Sequence, residues 1–504
     1  MWMKAIACLL LADTSHGLVA GYSLQQALHH GATPPEQKFA ARYQATDDKI
    51  CKGSSGFSGY VDSDDEKHMF FWAVPSRNSP ETDPVILWLS GGPGASGVTV
   101  GGFKELGPCW YLEQGPTAHN PHSWTNNATV IFVDQPLNAG FSYSSHKVST
   151  LAESTTDLHN FLKTFFCQFP QYASQPFYIA GQSYGGSYVP ALAARIVDEA
   201  ASTGPLVTTA PIGHCSNINI NLKGIMIGNG LMNVTVQRRG YYELGCKSDL
   251  FGHGHLLGRE ACSEIDKFMP VCEALESACS LSNLNLEVCK FSNTYCHDHI
   301  AAQIEKSTRY PYDLRRQCSL GSNGERQCEE PSTLESWMNT SSIRGGFGVD
   351  DAATYIPLNY EMEAAFDANG EIGYPSDFLV TKLLGARIRV LIYVGNMDWF
   401  CNAPGTRLLV DSLEWAGQEV FRSMAFRPIF WPEATDALIM KGQKLKRPLA
   451  LSTGATVNDV QLWGYHKRFD LLSFFEVDQA GHAAAGHRPE EVLNLINGFI
   501  AGKL

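Results

Sequence analysis

A serine between two glycines is the first feature of this sequence that could do chemistry. Residues 181–185 read Gly-Gln-Ser-Tyr-Gly, after the apolar run Phe177–Ala180 and before a segment with helical spacing. Between a strand and a helix, G-x-S-x-G makes a sharp turn that lifts the serine Oγ above the sheet and turns the next N–H toward a developing oxyanion. The pattern predicts Ser183 as a nucleophile and the Tyr184 N–H as one oxyanion donor.

A carboxylate and a histidine follow the serine in the chain order that this kind of nucleophile requires. Asp398 comes just after the apolar run Arg389–Val394, and His482 comes after the run Phe474–Val477. We predict that His482 takes the proton of Ser183 during attack. Asp398 is expected to fix the imidazole tautomer and to stabilise the imidazolium.

A second histidine, His487, competes with His482 for the role of the base. We favour His482, because it follows Gly481 directly in the loop after the predicted strand. Two structural interpretations stay open: Asp398 can begin an Asx turn, and a lone histidine is usually structural.

A glycine-rich segment can supply the second oxyanion donor. Residues 90–94 read Ser-Gly-Gly-Pro-Gly and follow the apolar run Val85–Leu89 directly. Glycines allow the backbone to approach a substrate and expose its N–H groups, and we assign the second donor to Gly92. A phosphate-binding loop is excluded, because no Lys-Ser or Lys-Thr pair follows.

Short apolar runs that predict buried strands alternate with segments of helical spacing. The predicted strands are Val85–Leu89, Thr129–Val133, Phe177–Ala180, Gly224–Ile227, Arg389–Val394 and, as a weaker signal, Phe474–Val477. The helical patterns include residues 158–166, 189–197 and 492–500. The alternation predicts an α/β fold with a mostly parallel sheet that is covered by helices on both faces. Surface hairpins are expected between Trp415 and residue 465.

Composition excludes several classes of protein. The 504 residues include 38 Lys and Arg against 51 Asp and Glu, and the net charge of −13 makes nucleic acid an unsuitable main partner. Charged residues make up 18% and hydrophobic residues 44%, so the chain has enough apolar side chains for a core and is not disordered. No apolar run reaches the roughly 18 residues of a membrane span.

The cysteines indicate an oxidising compartment. Eight of the 14 fall between residues 246 and 328, which predicts a locally cross-linked insertion, and the absence of a C-x2-C pair argues against zinc. Residues 1–20 have the basic start and short apolar core of a signal peptide, with a disordered tail as the alternative. Three N-glycosylation sequons begin at Asn127, Asn233 and Asn339. We therefore predict the secretory pathway, with an extracellular, vacuolar or lysosomal destination.

A set of motifs spread over residues 45–504 resembles one known family. They are Gly59-Tyr-Val-Asp62, Phe70-Phe-Trp72, Trp88-Leu-Ser-Gly-Gly-Pro-Gly94, Glu105-Leu-Gly-Pro108, Asn120-Pro121, Ser123-Trp124, Asn127-Ala-Thr-Val-Ile131, Asp134-Gln-Pro136, Gly140-Phe-Ser-Tyr143, Ser183-Tyr-Gly-Gly186, Ile227-Gly-Asn-Gly230, Asp398, Cys401-Asn402 and Gly481-His482. In this order and spacing the chain is similar to serine carboxypeptidases of the carboxypeptidase Y and cathepsin A type. The resemblance implies an α/β-hydrolase fold with an inserted cap.

The resemblance also implies a domain plan and a disulfide pattern. We expect a signal peptide at 1–20, a short segment at 21–45, core at 46–239, a disulfide-rich cap at 240–350 and core again at 351–504. The implied bridges are Cys246–Cys262, Cys272–Cys296, Cys279–Cys289 and Cys318–Cys328. Cys401 resembles a free cysteine near the substrate pocket, whereas Cys51, Cys109, Cys167 and Cys215 have no assigned partners. A family bridge from the glycine-rich loop is missing, since Ala95 and the segment 351–355 lack cysteines, and a looser loop is expected.

The residues that would bind the terminal carboxylate of a peptide depart from the family pattern. The family uses an Asn, a Gly N–H and two Glu residues that share a proton. Here the Asn position is Ser90, the Gly is Gly91, and the Glu before the nucleophile is Gln182. Glu105 remains, although one extra residue in 97–102 leaves its placement open. The residues after His482 are three alanines, Ala483–Ala485, where the family has Met-Val-Pro.

Three functions follow from these departures. The first is a serine carboxypeptidase that cleaves C-terminal peptide bonds through an acyl-enzyme, with a changed pH profile. The second is an esterase, amidase or acyltransferase of small molecules, and the third is a non-catalytic scaffold or stabiliser. We expect a peptide or small acyl substrate, no cofactor, no metal, and a monomer or homodimer. A long propeptide is not expected.

Overall fold

The computed structural model describes residues 39–63, 66–113, 115–203, 218–252, 254–278, 286–321, 326–328, 332–431 and 461–504. The predicted signal peptide at 1–20, most of the segment at 21–45, and two cysteines, Cys215 and Cys279, lie outside these ranges. No helix within them is long and apolar enough to span a membrane.

One twelve-stranded sheet runs through the described part of the chain, in the order β1-β2-β3-β7-β4-β9-β10-β15-β18-β17-β16, with β8 beside β3. Its strands are β1 Phe39–Ala45, β2 Phe57–Ser63, β3 Lys67–Val74, β4 Val85–Ser90, β7 Thr129–Val133, β8 Tyr143–Ser144, β9 Phe177–Ser183, β10 Leu222–Gly230, β15 Arg389–Gly395, β16 Arg427–Trp431, β17 Gln461–Phe469 and β18 Leu472–Val477. The six central strands from β7 to β18 are parallel. All six predicted strands are confirmed, and no predicted end differs from the observed one by more than three residues.

Three two-stranded sheets complete the described strands: β5 Cys109–Leu112 with β6 Gly115–His119, β11 Arg309–Tyr310 with β12 Asp313–Gln317, and β13 Ser319–Leu320 with β14 Arg326–Gln327. The α-helices are α1 Gly97–Thr99, α2 Leu151–Gln168, α3 Pro170–Ala173, α4 Gly185–Thr203, α5 Val234–Tyr242, α6 Arg259–Ala278, α7 Leu286–His299, α8 Leu334–Met338, α9 Ser341–Phe347, α10 Tyr360–Ala368, α11 Asp377–Gly385, α12 Ala403–Ser412, α13 Gln418–Ser423, α14 Ala484–His487 and α15 Pro489–Ile500. Short π-helices span Val100–Glu105 and Glu243–Lys247, and 3₁₀-helices span Trp124–Asn126 and Ala301–Lys306.

Helices cover the sheet on both faces, as the alternation of patterns predicts. One core packs the apolar stripes of α2 and α4 against one face, and a second packs α15 and aromatic residues such as Trp72 and Trp88 against the other. β4 is buried along its whole length, which explains why its sequence is an unbroken apolar run. Helix α2 begins with a capping box, in which Thr150 and Glu153 each bond the other's backbone N–H.

The region predicted as a cap, 240–350, has its own small core. Helices α6 and α7 pack there against the residues that follow β15, including Trp399. Three bridges lie in it, Cys246–Cys262, Cys272–Cys296 and Cys318–Cys328, and they are the pairs that the family resemblance implied. Cys289 is also disulfide-bonded.

Two features differ from expectation. The sheet begins at Phe39, inside the segment predicted to precede the core, because β1 pairs with β2 and Arg42 joins it to Asp62 and Asp350. Its sequence, Phe-Ala-Ala-Arg-Tyr-Gln-Ala, contains three alanines and no β-branched residue, so it gives no strong strand signal. Cys51, which had no assigned partner, bonds with Cys109, and Cys167 is disulfide-bonded as well.

The expected surface hairpin exists as the antiparallel pair β16–β17, whose connection, 432–460, lies outside the described residues.

Candidate active site

Ser183 lies at the end of β9, where the chain turns sharply into α4. Its φ of 59° is in the left-handed region, which a residue with a side chain rarely adopts. The Leu231 N–H donates to the Ser183 carbonyl at 2.8 Å and helps to hold the turn. Such a strained serine at the carboxyl edge of a parallel sheet presents its Oγ to the cleft above that edge.

The glycine-rich loop passes directly over this turn. A Cβ at Gly91 would overlap the Tyr184 nitrogen, and a Cβ at Gly185 would be 2.8 Å from the Leu89 carbonyl oxygen. Side chains are therefore excluded from both positions. The close approach brings the loop that contains Gly92 next to the Tyr184 N–H, the two groups predicted to form the oxyanion hole.

The glycine-rich loop is tied down even though the family bridge is missing. Ala95 pairs with Leu358, the Ser96 N–H donates to the Pro357 carbonyl at 3.0 Å, and the Asn359 N–H donates to the Gly94 carbonyl at 3.1 Å. Backbone pairing thus supplies a tether where the sequence suggested a looser loop.

Asp398 and His482 meet at the ends of β15 and β18. His482 Nδ1 is 2.7 Å from Asp398 Oδ2, and the carboxylate is fully buried. Because a carboxylate oxygen can only accept, the proton of this imidazole lies on Nδ1 and leaves Nε2 free as a base. Among the described residues, Ser183 Oγ has no hydrogen-bond partner, and catalytic hydrogen bonds of this kind often form only when substrate is bound.

Opposing effects act on the catalytic histidine candidate. Burial works to lower the pKa of His482, whereas the charge and hydrogen bond of Asp398, with a further effect of Glu105, raise it, and the net result is a raised pKa. The Asp398 carboxylate therefore favours the protonated form of the His482 imidazole.

Asn229 is a site residue that sequence reasoning did not identify. Its Nδ2 donates to Asp398 Oδ2 at 2.8 Å and to the Gly481 carbonyl at 3.4 Å. Asn229 is the penultimate residue of β10, the strand between β9, which ends at Ser183, and β15, which precedes Asp398, and its φ is 42°. The sequence did contain a signal that could have identified it: a polar residue between two glycines, directly after a predicted buried strand.

The carboxylate clamp candidates also come together. Ser90 and Gln182 are cross-strand neighbours on β4 and β9. Glu105 is only 2% exposed, and its Oε2 has no hydrogen-bond partner among the described residues. Burial raises the pKa of Glu105 to about 8, against the opposing effects of His482 and of the nearby Gln182 amide. Glu105 is therefore protonated at neutral pH and can donate to a carboxylate.

The segment in which the sequence suggested an extra residue before Glu105 contains a π-helix. Val100–Glu105 forms this wider turn, with the Leu106 N–H donating to the Gly101 carbonyl at 2.9 Å. Such single-turn π-helices are rare and occur frequently at functional sites. Gly101 packs face-on against the Trp88 indole, where a Cβ would overlap the ring. Glu105 lies at the end of this turn and faces Gln182.

Ser90 and Cys401 line the site in different ways. Ser90 is 1% exposed, and its Oγ accepts from the Trp88 indole N–H at 3.0 Å. Cys401 is a buried free thiol whose sulfur lies within 4.8 Å of polar atoms of Asp398 and His482. Burial, with the Asp398 charge, raises the pKa of Cys401 well above its usual range, so the thiol is neutral.

His487 does not occupy the place of the base. Its Nδ1 accepts from the Gly481 N–H at 3.0 Å, and its Nε2 is 3.7 Å from Asp313 Oδ2. The structure therefore places His482, and not His487, on the buried Asp398.

The mostly parallel sheet, the helices on both faces and the serine on a sharp turn after a central strand define an α/β-hydrolase fold. A solved structure with this chain arrangement is Kex1(delta)p, a prohormone-processing carboxypeptidase from Saccharomyces cerevisiae. It aligns with a TM-score of 0.69 and 20% identity, over 89% of this chain and 92% of that one. At this identity the likeness concerns the fold alone.

Sequence comparisons identify the family within that fold. The serine carboxypeptidase family profile matches residues 49–502. Carboxypeptidase Y homolog A of Coccidioides posadasii (strain C735) is 32% identical over 474 residues, which are 93% of this chain and 79% of that protein. The protein of the same name from Chaetomium globosum is 34% identical over 455 residues, 89% of this chain and 72% of its own length. The chain belongs to the serine carboxypeptidase family.

Proposed function

We propose that this enzyme removes the C-terminal residue of peptides through an acyl-enzyme. Ser183 Oγ attacks the last peptide carbonyl while His482 Nε2 takes its proton, and the Gly92 and Tyr184 N–H groups stabilise the oxyanion. The C–N bond then breaks, and the leaving amine takes the proton from His482. Water, activated by the same imidazole, hydrolyses the Ser183 ester and restores the serine.

The clamp gives the enzyme its preference for a chain end. Glu105, protonated at neutral pH, and the Gln182 amide donate to the terminal carboxylate, and the Gly91 N–H is the third donor. The single observation that carries the proposal is the burial of Glu105 beside Gln182: it is 2% exposed, and its Oε2 has no partner among the described residues. A neutral acid next to an acid–histidine pair suits an anionic substrate group, which an ionised Glu105 would repel.

The decisive experiment compares matched substrates. Blocked dipeptides with a free C-terminus are assayed beside their amides and esters, from about pH 4 to 9, with Ser183→Ala as control. Highest kcat/KM on the free acids, and an inactive control, support the carboxypeptidase. Hydrolysis of esters and amides without hydrolysis of free acids contradicts it.

One observation favours a second candidate, an esterase or amidase acting on small molecules. Ser90 is shorter than the asparagine of the family and is 1% exposed, and the hydroxyl that accepts from Trp88 has a single O–H to donate. The clamp then has one fewer side chain that reaches a carboxylate. Failure of Gln182→Glu combined with Ser90→Asn to raise peptidase activity would favour this candidate.

The secretory pathway is proposed as the site of maturation. The four bridges described, together with bonded Cys167 and Cys289, suit an oxidising compartment. A signal peptide at 1–20 and a cap at 240–350 are parts of the same proposal. Mass spectrometry of the secreted protein tests whether residues 1–20 are absent.

A further inference from the structure

Every residue of the short loop before the base candidate is fixed through its backbone. Arg315 donates to the Gln479 carbonyl, the Met397 N–H donates to the Ala480 carbonyl at 2.7 Å, and the His482 N–H donates to the Tyr312 carbonyl at 2.7 Å. Side chains hold the loop as well: the Gly481 N–H donates to His487 Nδ1 at 3.0 Å, and the Gly481 carbonyl accepts from Asn229 Nδ2 at 3.4 Å.

This last contact defines the protonation state of His487. Because Nδ1 accepts, the proton of the neutral ring lies on Nε2, which points toward Asp313 Oδ2 at 3.7 Å. Burial and the Arg315 charge lower the pKa of His487, while Asp313 opposes them, and the net shift is downward. The ring is thus neutral near neutral pH and keeps its acceptor.

Asp313 is itself held from the cap side. It is 3% exposed, and Arg315 binds both of its oxygens, with Nε to Oδ1 at 2.7 Å and Nη2 to Oδ2 at 2.8 Å. Both residues belong to β12, within the proposed cap. One polar network therefore runs from the cap through His487 to the residue that precedes His482.

We infer that His487 is a positioning residue for the catalytic base: it holds the Gly481 N–H so that the His482 imidazole stays directed at Asp398 and Ser183. The inference rests on the proposed function. Loss of the acceptor would leave the buried Gly481 N–H unpaired, and the loop would be held less firmly by its other bonds. A displacement of about 1 Å at a reacting group can lower kcat roughly 100-fold.

The test compares two substitutions of similar size. His487→Asn places an acceptor oxygen where Nδ1 lies, whereas His487→Gln displaces its polar group toward the Nε2 position. We expect Gln to lower kcat about 10- to 100-fold with KM within about twofold, and Asn to retain kcat within about threefold of the unmodified enzyme. The rate of Ser183 labelling by a fluorophosphonate should fall in parallel. His297→Gln, on the exposed side of α7, serves as the control for the substitution type.

Several outcomes would overturn the inference. An unchanged kcat in His487→Gln, a rise in KM alone, or equal losses in Asn and Gln would each do so. If the Gln variant does not fold, Asp313→Asn tests the same network, because it removes the charge that the Nε2–H faces, and a drop in kcat of about 3- to 10-fold is expected. An unmodified enzyme that hydrolyses no substrate and is not labelled at Ser183 would refute the proposed function instead.

Discussion

At the scale of residues, the site combines a catalytic serine candidate with an acid that is neutral at physiological pH. Ser183, Asp398 and His482 stand in the order of an α/β-hydrolase, and Asn229 binds the acid of that set. Glu105 is the residue whose ionisation should matter most for substrate choice, since its pKa of about 8 lies within the range in which enzymes are assayed.

Glu105→Gln should change the alkaline side of the pH profile. In the unmodified enzyme, kcat/KM for free-acid substrates is expected to fall as pH rises through about 8, because the ionised Glu105 repels the substrate carboxylate. Glutamine cannot ionise, so this fall should disappear in the variant. Steady-state kinetics on blocked dipeptides check the prediction, and the C-terminal amides are the control because they carry no charge at that position. An alkaline fall that persists in the variant would contradict it.

Asn229→Gly tests the contact behind Asp398. Glycine accepts the φ of 42° but cannot donate to the carboxylate, so the Asp398–His482 pair should lose part of its orientation. We expect kcat to fall roughly 10- to 100-fold. The melting temperature should fall as well, because the buried Gly395 N–H loses its acceptor. Asn138→Gly, at another asparagine with positive φ, is the matched control and should keep its activity. Equal kcat in both variants would show that Asn229 plays no part in catalysis.

At the scale of elements, the π-helix at Val100–Glu105 is the feature that ends on a candidate functional side chain. It begins after α1 and packs its glycines against the Trp88 and Trp72 rings. Because those indoles are buried and rigid, the turn has no room for side chains at these positions. The position of Glu105 therefore depends on the packing of this turn.

Gly101→Ala should destabilise the protein. The added methyl would overlap the Trp88 indole, and overpacking of this kind costs about 1–3 kcal/mol. Gly345→Ala is the control, since nothing lies within 4 Å of its Cβ and it lies in helix α9, where alanine is favoured by up to about 1 kcal/mol. Thermal unfolding should show a lower melting temperature for the first variant and an equal or higher one for the second. The opposite order would contradict the tight packing.

At the scale of the whole molecule, disulfides link segments that are distant in sequence. Cys51–Cys109 closes a loop with a sequence separation of 58 and joins the start of the chain to the segment after the π-helix. The cap bridges, by contrast, have separations of 10 to 24. Stabilisation by a bridge grows with the length of the loop that it closes.

The double variant Cys51→Ser, Cys109→Ser should lose stability. A loop of this length is worth about 4 kcal/mol in the chain-entropy account. The Cys318–Cys328 bridge closes the shortest described loop. Replacing both of these cysteines by serine should therefore lower the free energy of unfolding by less. Denaturant unfolding of the two double variants checks the order, and a larger loss for the short loop would contradict it.

The three sequons should not be glycosylated equally. Asn127 is exposed, whereas Asn233 Nδ2 donates to Asp377 and Asn339 Nδ2 donates to two backbone carbonyls. A glycan attaches to Nδ2, so it would displace those bonds. Asn127→Gln is expected to remove the glycan from the secreted protein. Asn233→Gln and Asn339→Gln are expected to change its mass only by the substitution itself, without loss of a glycan. Mass spectrometry before and after deglycosylation decides between one and three occupied sites.

The sequence by itself was enough to predict the central strands of the sheet and the candidate functional residues at their ends. Apolar runs and the turn around Ser183 are local signals, because strand burial and backbone strain act within a few neighbouring residues. β1 escaped detection since its stability comes from pairing with β2 and not from its own pattern. The pairing of Cys51 with Cys109 escaped for a similar reason, as spacing does not reveal which distant segments meet.

Only the tertiary structure decided which polar groups face one another. It placed Asn229 behind Asp398, put Glu105 at the end of a π-helix, and set His487 against the Gly481 N–H. Asn229 and Asp398 come from neighbouring strands that are far apart in sequence. The π-helix depends on how its segment packs against the buried indoles, and the His487 contact depends on how the chain turns after β18. Burial, which raises the pKa of Glu105 to about 8, is likewise a property of the packed molecule and has no signature in a single segment of sequence.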